Sequence, residues 1–408
     1  MSQRERNRVT AIKSGKADTI KALAGARAFP PLMVILFHFS EGHHYSGWRL
    51  LDLAAARGYL WVEFFFVLSG FILTHAYWDR LDDLLAWRGY GAFLRARLIR
   101  LYPLHLLVLL LILLLVLGLR ALASAGGYVS IFDVPWRDVS AKGFAFSVLL
   151  IHAWNTMDRL TWNGASWFVS VEFALCLLFP ALLWLARGGR TASNVWRGLA
   201  LIVAGLGGLF ALLLTSKHGL DITFDHGVLR GLSDFTVGVG MAVLFRDLKR
   251  YDRLPTYVHS VLQLAVLTLL GLAIWRTGWS HTRNDIYTAL ALMLLVLVLA
   301  FDRGAVADAL KTRLPQRMGE WSYAIYIGQA VWLLSIHFFE QRLYPPPETL
   351  VLGMRFGDLI WGLEPALLLV VCVAWGAFLA EVVEIPVADA LRKRFGRRLD
   401  RPEGLTPS

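Results

Sequence analysis

Apolar residues along this chain come in long runs rather than in amphipathic stripes. Ten runs, over 22–40, 59–77, 99–118, 167–186, 196–215, 229–246, 257–275, 284–301, 321–339 and 362–384, fall in the length class of a bilayer-crossing helix. About 20 such residues span a hydrocarbon core of about 30 Å. The pattern predicts an all-α, polytopic integral membrane protein of about ten transmembrane helices. A weaker stretch, 143–155, carries Lys142, His152 and Asn155 around a short apolar core. It is too short to cross and reads as a re-entrant or interfacial helix inside a long loop.

The polar residues inside these runs carry the functional information, because ionisable groups in a bilayer are costly and face interior cavities. Arg27 and His38 are eleven residues apart in the first run. On one continuous helix that is about three turns plus 20°, so both would point the same way, about 16 Å apart along the axis. This predicts a polar track and a polar central cavity. His38 reads either as an interfacial histidine, with His43 and His44 beyond it, or as a proton acceptor near neutral pH. Arg27 needs a counter-charge or an anionic ligand.

Other runs add to the set. In the second, Glu63 is interfacial or part of a polar site, and Ser69–Gly70 reads as a small pair for close helix packing. In the third, Arg97 and Arg100 share a face and are either ordinary anchors or a phosphate clamp. In the fourth, Glu172 lies beside Ser170 and Ser166 at a depth comparable to His38. A His38–Glu172 dyad would orient the imidazole; the alternative is an ion pair with an arginine. In the ninth, Ser322, Tyr323, Tyr326 and Gln329 add polar groups, with Tyr326 and Gln329 on one face.

Composition agrees: 57% of the 408 residues are hydrophobic, and the mean hydropathy is +0.54. The formal charge of +11 is distributed by crossing rather than clustered for nucleic acid. Loops on the N-terminal side hold 27 of the 41 Lys and Arg residues, and the opposite loops hold 11. That asymmetry predicts cytoplasmic termini and attraction to anionic membrane lipids. Cys176 and Cys372 both fall inside spans, so neither a disulfide framework nor a metal site is expected.

The expected organisation is a basic cytoplasmic N-terminus (1–21), one transmembrane domain (22–384) and a basic cytoplasmic tail (385–408). The N-terminus lacks a cleavable apolar region, so the first run is expected to be retained. The loop 119–166, with Tyr128, Phe132, Trp136, Trp154 and Trp162, is placed to cap a cavity. Tyr344–Glu348 reads as a stiff extended segment, and the tail as an amphipathic helix followed by disorder.

Five pieces together resemble the membrane acyltransferase 3 family. They are Arg27-x10-His38, Val62–Phe71, Arg97–Pro103, Ser166–Phe173 and Ser322–Ile327, in the family's order. Glu63 stands where the family more often has Asp, and Gln329 where many members have His, so Gln329 is given no catalytic role. A soluble esterase-like domain is not expected. The resemblance implies acyl transfer, usually acetyl, from cytoplasmic acyl-CoA to a hydroxyl of a glycan or other acceptor, often a bacterial surface polysaccharide. Acetyl-CoA or another acyl-CoA is then a co-substrate, with no resident cofactor.

On that reading His38 is general base or acyl relay, Glu172 orients it, and Arg27, Arg97 and Arg100 bind acyl-CoA. Glu63, Ser69, Ser170 and Tyr326 are candidate lining residues. Two competitors stand: a proton-coupled carrier or flippase without covalent chemistry, and a membrane acyltransferase acting on lipids or proteins. Oligomeric state is left open by the sequence.

Overall fold

The computed structural model describes residues 19–40, 49–126, 137–188, 194–277, 283–343, 350–351 and 354–396. The expectations for 1–18, His43 and His44, Tyr128, Phe132, Trp136, Tyr344–Glu348 and the end of the tail lie outside the described residues. Helices account for nearly all of the described chain. They are α1 Lys21–Ala26, α2 Phe29–Ser40, α3 Arg49–Ala56, α4 Trp61–Tyr77, α5 Leu81–Leu85, α6 Trp87–Gly126, α7 Ala141–Val148, α8 Trp167–Arg187 and α9 Val195–Thr215. There follow α10 Gly227–Tyr251, α11 Thr256–Thr277, α12 Asp285–Ala300, α13 Ala305–Leu310, α14 Arg313–Leu343, α15 Phe356–Leu379 and α16 Ile385–Gly396. The strands are two-residue pairs. Arg137–Asp138 runs parallel to Leu160–Thr161, and Leu350–Val351 runs antiparallel to Met354–Arg355.

Eight helical stretches among the described residues are long and apolar enough to cross a membrane. The other two expected spans fall on the 16-residue α12 and within the 31-residue α14. The protein is an all-α polytopic membrane protein. Its lipid-facing flanks are apolar too: Leu114, Val203, Leu264 and Val370 are all more than half exposed. In water such a surface would be unusual; against lipid tails it costs nothing.

Proline shapes two of these helices. Pro30 and Pro31 lack the N–H groups that would bond the carbonyls of Ala26 and Arg27. The first span therefore breaks into α1 and α2, with a turn at Arg27–Ala28 held by Ala28 N donating to Gly25 O at 3.1 Å. Arg27 sits in that break, so the continuous-helix spacing that placed it on one stripe with His38 does not apply. Near the C-terminus a five-residue π turn, Ala380–Glu384, joins α15 to α16. Pro386 follows it and removes the N–H that would bond Val382.

The centre of the bundle is α10, which lies parallel to α4 and antiparallel to α9. Glycines permit these close crossings. A Cβ at Gly70 would collide with the Phe235 carbonyl, and one at Gly238 with that of Val67. Gly205 and Gly240 make the same close approach to α10 and α9 respectively.

Two buried ionic networks fix one end of the bundle. Arg57 pairs with Asp285 at 3.2 Å, and Asp285 also accepts from the Tyr59 hydroxyl at 2.8 Å and Leu220 N at 2.9 Å. Arg230 on α10 pairs with Glu63 on α4, with its Nη2 2.6 Å from Oε1. Its remaining donors reach Ile222 O at 2.9 Å and Tyr59 O at 3.1 Å, and its guanidinium lies over the Trp167 ring. Asp234, one turn along α10, is fully buried beside this pair.

Candidate active site

Four spans and the helix break converge on one internal cavity of about 760 Å³ of empty space, its mouth included. Each span contributes one face. From α4 come Phe65, Leu68, Ser69, Ile72 and Leu73, spaced i, i+3, i+4, i+7 and i+8. From α6 come Arg97, Arg100 and Leu101; from α8, Phe168 and Glu172; from α14, Ser322, Tyr323 and Tyr326. The break at Pro30 and Pro31 brings Arg27 to the same wall.

The cavity is graded in chemistry along its depth. Arg27, Arg97 and Arg100 lie towards the helix ends that adjoin residues 21 and 87. Among the described residues these three guanidinium groups make no ion pair. The Arg97 guanidinium lies over the Phe93 ring, 5.7 Å from its centroid. Arg27, Arg97 and Arg100 all act electrostatically on Glu172.

Deeper in, Glu172 is buried at 7% exposure. Its Oε1 accepts from the Ser69 hydroxyl at 2.5 Å. Its Oε2 has no hydrogen-bond partner among the described residues. A buried carboxylate with one oxygen committed and one uncommitted, near three arginines that it shares with the Glu384 carboxylate, can take a proton or hold a hydroxyl.

One turn further along each helix, three rings meet. Phe65 stands four residues before Ser69, Phe168 four before Glu172, and Tyr326 four after Ser322. Phe65 and Phe168 are 5.6 Å apart between centroids, Phe168 and Tyr326 5.4 Å, and Phe65 and Tyr326 6.2 Å. This aromatic floor lines the cavity at that end. His38 is not among the lining residues; it is half-buried in the last turn of α2, with its ring 5.3 Å from Phe37. Phe37 in turn contacts Tyr59, just ahead of α4.

The structure thus brings together Arg27, Arg97, Arg100, Glu172, Ser69 and Tyr326, and leaves out His38, Glu63 and Ser170. Glu172 bonds Ser69 rather than His38, so no His38–Glu172 dyad is formed here. Glu63 faces α10 and is paired with Arg230, so it belongs to a structural ion pair rather than to the cavity. Ser170 points the opposite way from the cavity. Its hydroxyl donates to Leu150 O at 2.8 Å and accepts from Ala153 N at 3.1 Å, clasping the loop after α7. Gln329 donates to Tyr326 O at 2.8 Å and is likewise not a lining residue.

That loop is more ordered than its composition suggests. The 143–155 stretch forms α7 and then a buried turn. His105 of α6 meets Ser147 O at 2.9 Å, and His152 meets the Ser166 hydroxyl at 2.9 Å. The two imidazoles stack at 6.3 Å. Sequence reading missed this histidine pair and the apolar half of the cavity lining. The i, i+3, i+4, i+7 spacing from Phe65 to Ile72 was the available signal for the latter.

No group of histidine, cysteine or carboxylate side chains with metal-binding geometry occurs among the described residues. Over residues 20–381 the sequence matches the acyltransferase domain family known as acyltransferase 3, and the chain belongs to that family. It is similar to acyltransferase MdmB of Streptomyces mycarofaciens, 25% identical over 399 residues that cover 92% of this chain and 93% of that protein. It is also similar to protein 2 in the picA locus of Rhizobium radiobacter, 49% identical over 153 residues, or 36% of this chain and 75% of that protein. No solved structure matches it. The chain is therefore a membrane acyltransferase.

Proposed function

We propose that the protein transfers an acyl group, most simply acetyl, from cytoplasmic acyl-CoA to a hydroxyl of a bacterial surface or exported glycan in the inner membrane. The observation that carries this reading is the cavity itself. Three guanidinium groups at a cavity in an apolar membrane interior, with only the Glu172 and Glu384 carboxylates near them and neither in direct ion-pair contact, favour binding of a further anion. The phosphates of acyl-CoA supply one, and guanidinium groups bind phosphate in paired hydrogen bonds.

With the nucleotide end held at Arg27, Arg97 and Arg100, the thioester reaches inward towards Glu172 and the aromatic floor. His38, near the opposite end of the first span from Arg27, acts as general base on the acceptor hydroxyl or accepts the acyl group and passes it on. Attack on the thioester carbonyl forms the ester and releases the CoA thiolate, which takes up the proton lost by the acceptor. Glu172 orients or charges the reacting groups, and the arginine nearest the carbonyl stabilises its developing negative charge. The preponderance of Lys and Arg on the N-terminal side supports cytoplasmic termini and entry of acyl-CoA from that side.

The test is O-acetyl content of isolated surface glycans, by NMR, in a deletion strain complemented with wild type or with His38→Ala. A defined O-acetyl signal restored by wild type only is the expected result. Unchanged glycan acetylation with a properly inserted protein would sink the glycan acceptor. The broken first span also resembles the discontinuous helices of carriers. Release of free CoA by purified protein separates the two, because a carrier releases none.

A further inference from the structure

A second cavity, of about 870 Å³ with its mouth included, lies apart from the first and shares no residue with it. Its walls come from the end of α4, the short 3-10 turn after it, the residue before α9 and the last two turns of α10. Arg246, Lys249 and Arg250 are spaced i, i+3 and i+4, so one face of α10 presents all three to the cavity.

Basic residues at a helix C-terminus are common, since they complement the helix dipole. Here Lys249 and Arg250 are exposed and Arg246 is half-buried, and two of the three sit against aromatic rings. The Arg246 guanidinium lies 4.8 Å from the centroid of the buried Trp78 ring. Lys249 sits 5.4 Å from that of Phe245. These cation–π contacts aim the cations over an aromatic base. Arg246 also approaches Asp79 at 3.7 Å, but that carboxylate is 82% exposed and belongs to the rim. Lys249 and Arg250 make no ion pair among the described residues. Asp247 and His75 complete the titratable groups, and Asn194 adds an amide.

We infer that this cavity is a binding site for a phosphate-bearing headgroup, with Arg246, Lys249 and Arg250 as its ligands and the end of the membrane span as its setting. Basic pockets between helices at a membrane surface bind lipid phosphates in this way. Asp247 disfavours a second negative charge, which suits a singly charged phosphodiester. The helix ends that form the site are on the side that carries most of the chain's Lys and Arg residues. The site is independent of acyl transfer.

The experiment uses the full chain in nanodiscs of phosphatidylcholine, with and without phosphatidylglycerol, and a third arm in which inorganic phosphate is added to phosphatidylcholine discs. Lipid retained through purification is read by native mass spectrometry, and thermal melting is read in each arm. Phosphatidylglycerol is expected to be retained and to raise the melting temperature. Lys249→Gln with Arg250→Gln is expected to reduce retention about tenfold or more, while Lys249→Arg with Arg250→Lys keeps it. Melting of each variant in phosphatidylcholine alone reports folding, and the single Lys249→Gln and Arg250→Gln variants serve if the pair does not fold. Protection by inorganic phosphate to the same degree, lost in the same variants, assigns the site to a soluble phosphate instead of a lipid. Retention unchanged in the Gln variants, or no response to either phosphate source, overturns the site.

Discussion

Ser69 donates its hydroxyl to Glu172 across 2.5 Å, joining the second span to the fourth at mid-membrane. Its neighbour Gly70 faces another helix altogether and lets Phe235 approach. Two adjacent small residues thus divide the work, one holding a buried carboxylate and the other permitting a helix crossing.

If Glu172 serves the reaction, removing its charge should affect turnover more than folding. Glu172→Gln is expected to lower kcat by about 10²- to 10⁴-fold, the range for an acid–base group, with the protein still inserted. Ser69→Ala should lose about 10- to 150-fold, since a hydrogen bond to a charged group contributes about 1.5–3 kcal/mol. CoA release by purified protein measures both. Wild-type turnover in Glu172→Gln would remove this residue from the mechanism.

The arginines should act on binding of the donor. Arg27→Ala, Arg97→Ala and Arg100→Ala are each expected to raise the KM for acyl-CoA by about 10- to 100-fold, the equivalent of one charge-assisted interaction. Calorimetric titration with free CoA should show the same loss. Equal affinities in wild type and all three variants would show that the cations serve another ligand.

Breaking the pair between Glu63 and Arg230 should destabilise the protein without entering its chemistry. Glu63→Gln or Arg230→Met alone leaves a buried charge without its partner, at a cost of about 3–5 kcal/mol. The double substitution is expected to recover part of that loss, and thermal melting in detergent gives the cycle. A fully additive double variant would mean that the two residues are not coupled.

The glycine crossings give a purely structural test. Gly70→Ala and Gly238→Ala place a methyl group against the backbone of a neighbouring span and are expected to lower the melting temperature markedly. Gly91→Ala, where a Cβ meets nothing nearby, is the matched control and should leave melting unchanged or raise it.

The architecture was legible because a bilayer imposes a length on every crossing, and apolar runs report that length directly. The arginines and Glu172 were legible for the related reason that a charge inside such a run needs a purpose. What the sequence did not reveal was which way each side chain faces. Glu63 looked like Glu172 until their partners were known, one locked to Arg230 and the other left open to a cavity. Ser170 and Ser69 looked alike too, yet one clasps a loop and the other lines the site. The Arg27–His38 spacing was read on an unbroken helix, and Pro30 and Pro31 break it. Direction is set by tertiary contacts between distant segments, which a local period does not encode.

The rings of Phe65, Phe168 and Tyr326 carry a consequence for the cell that holds this protein. A membrane that holds an ion gradient tolerates no continuous file of water through a protein that spans it. A hydrated channel leading on from the arginines would drain such a gradient. The three rings meet in tilted and edge-to-face contacts and put apolar surface beside the charged end of the cavity. The same cluster that shapes the binding space thus bears on how tightly the bundle resists leakage, as well as on what it binds.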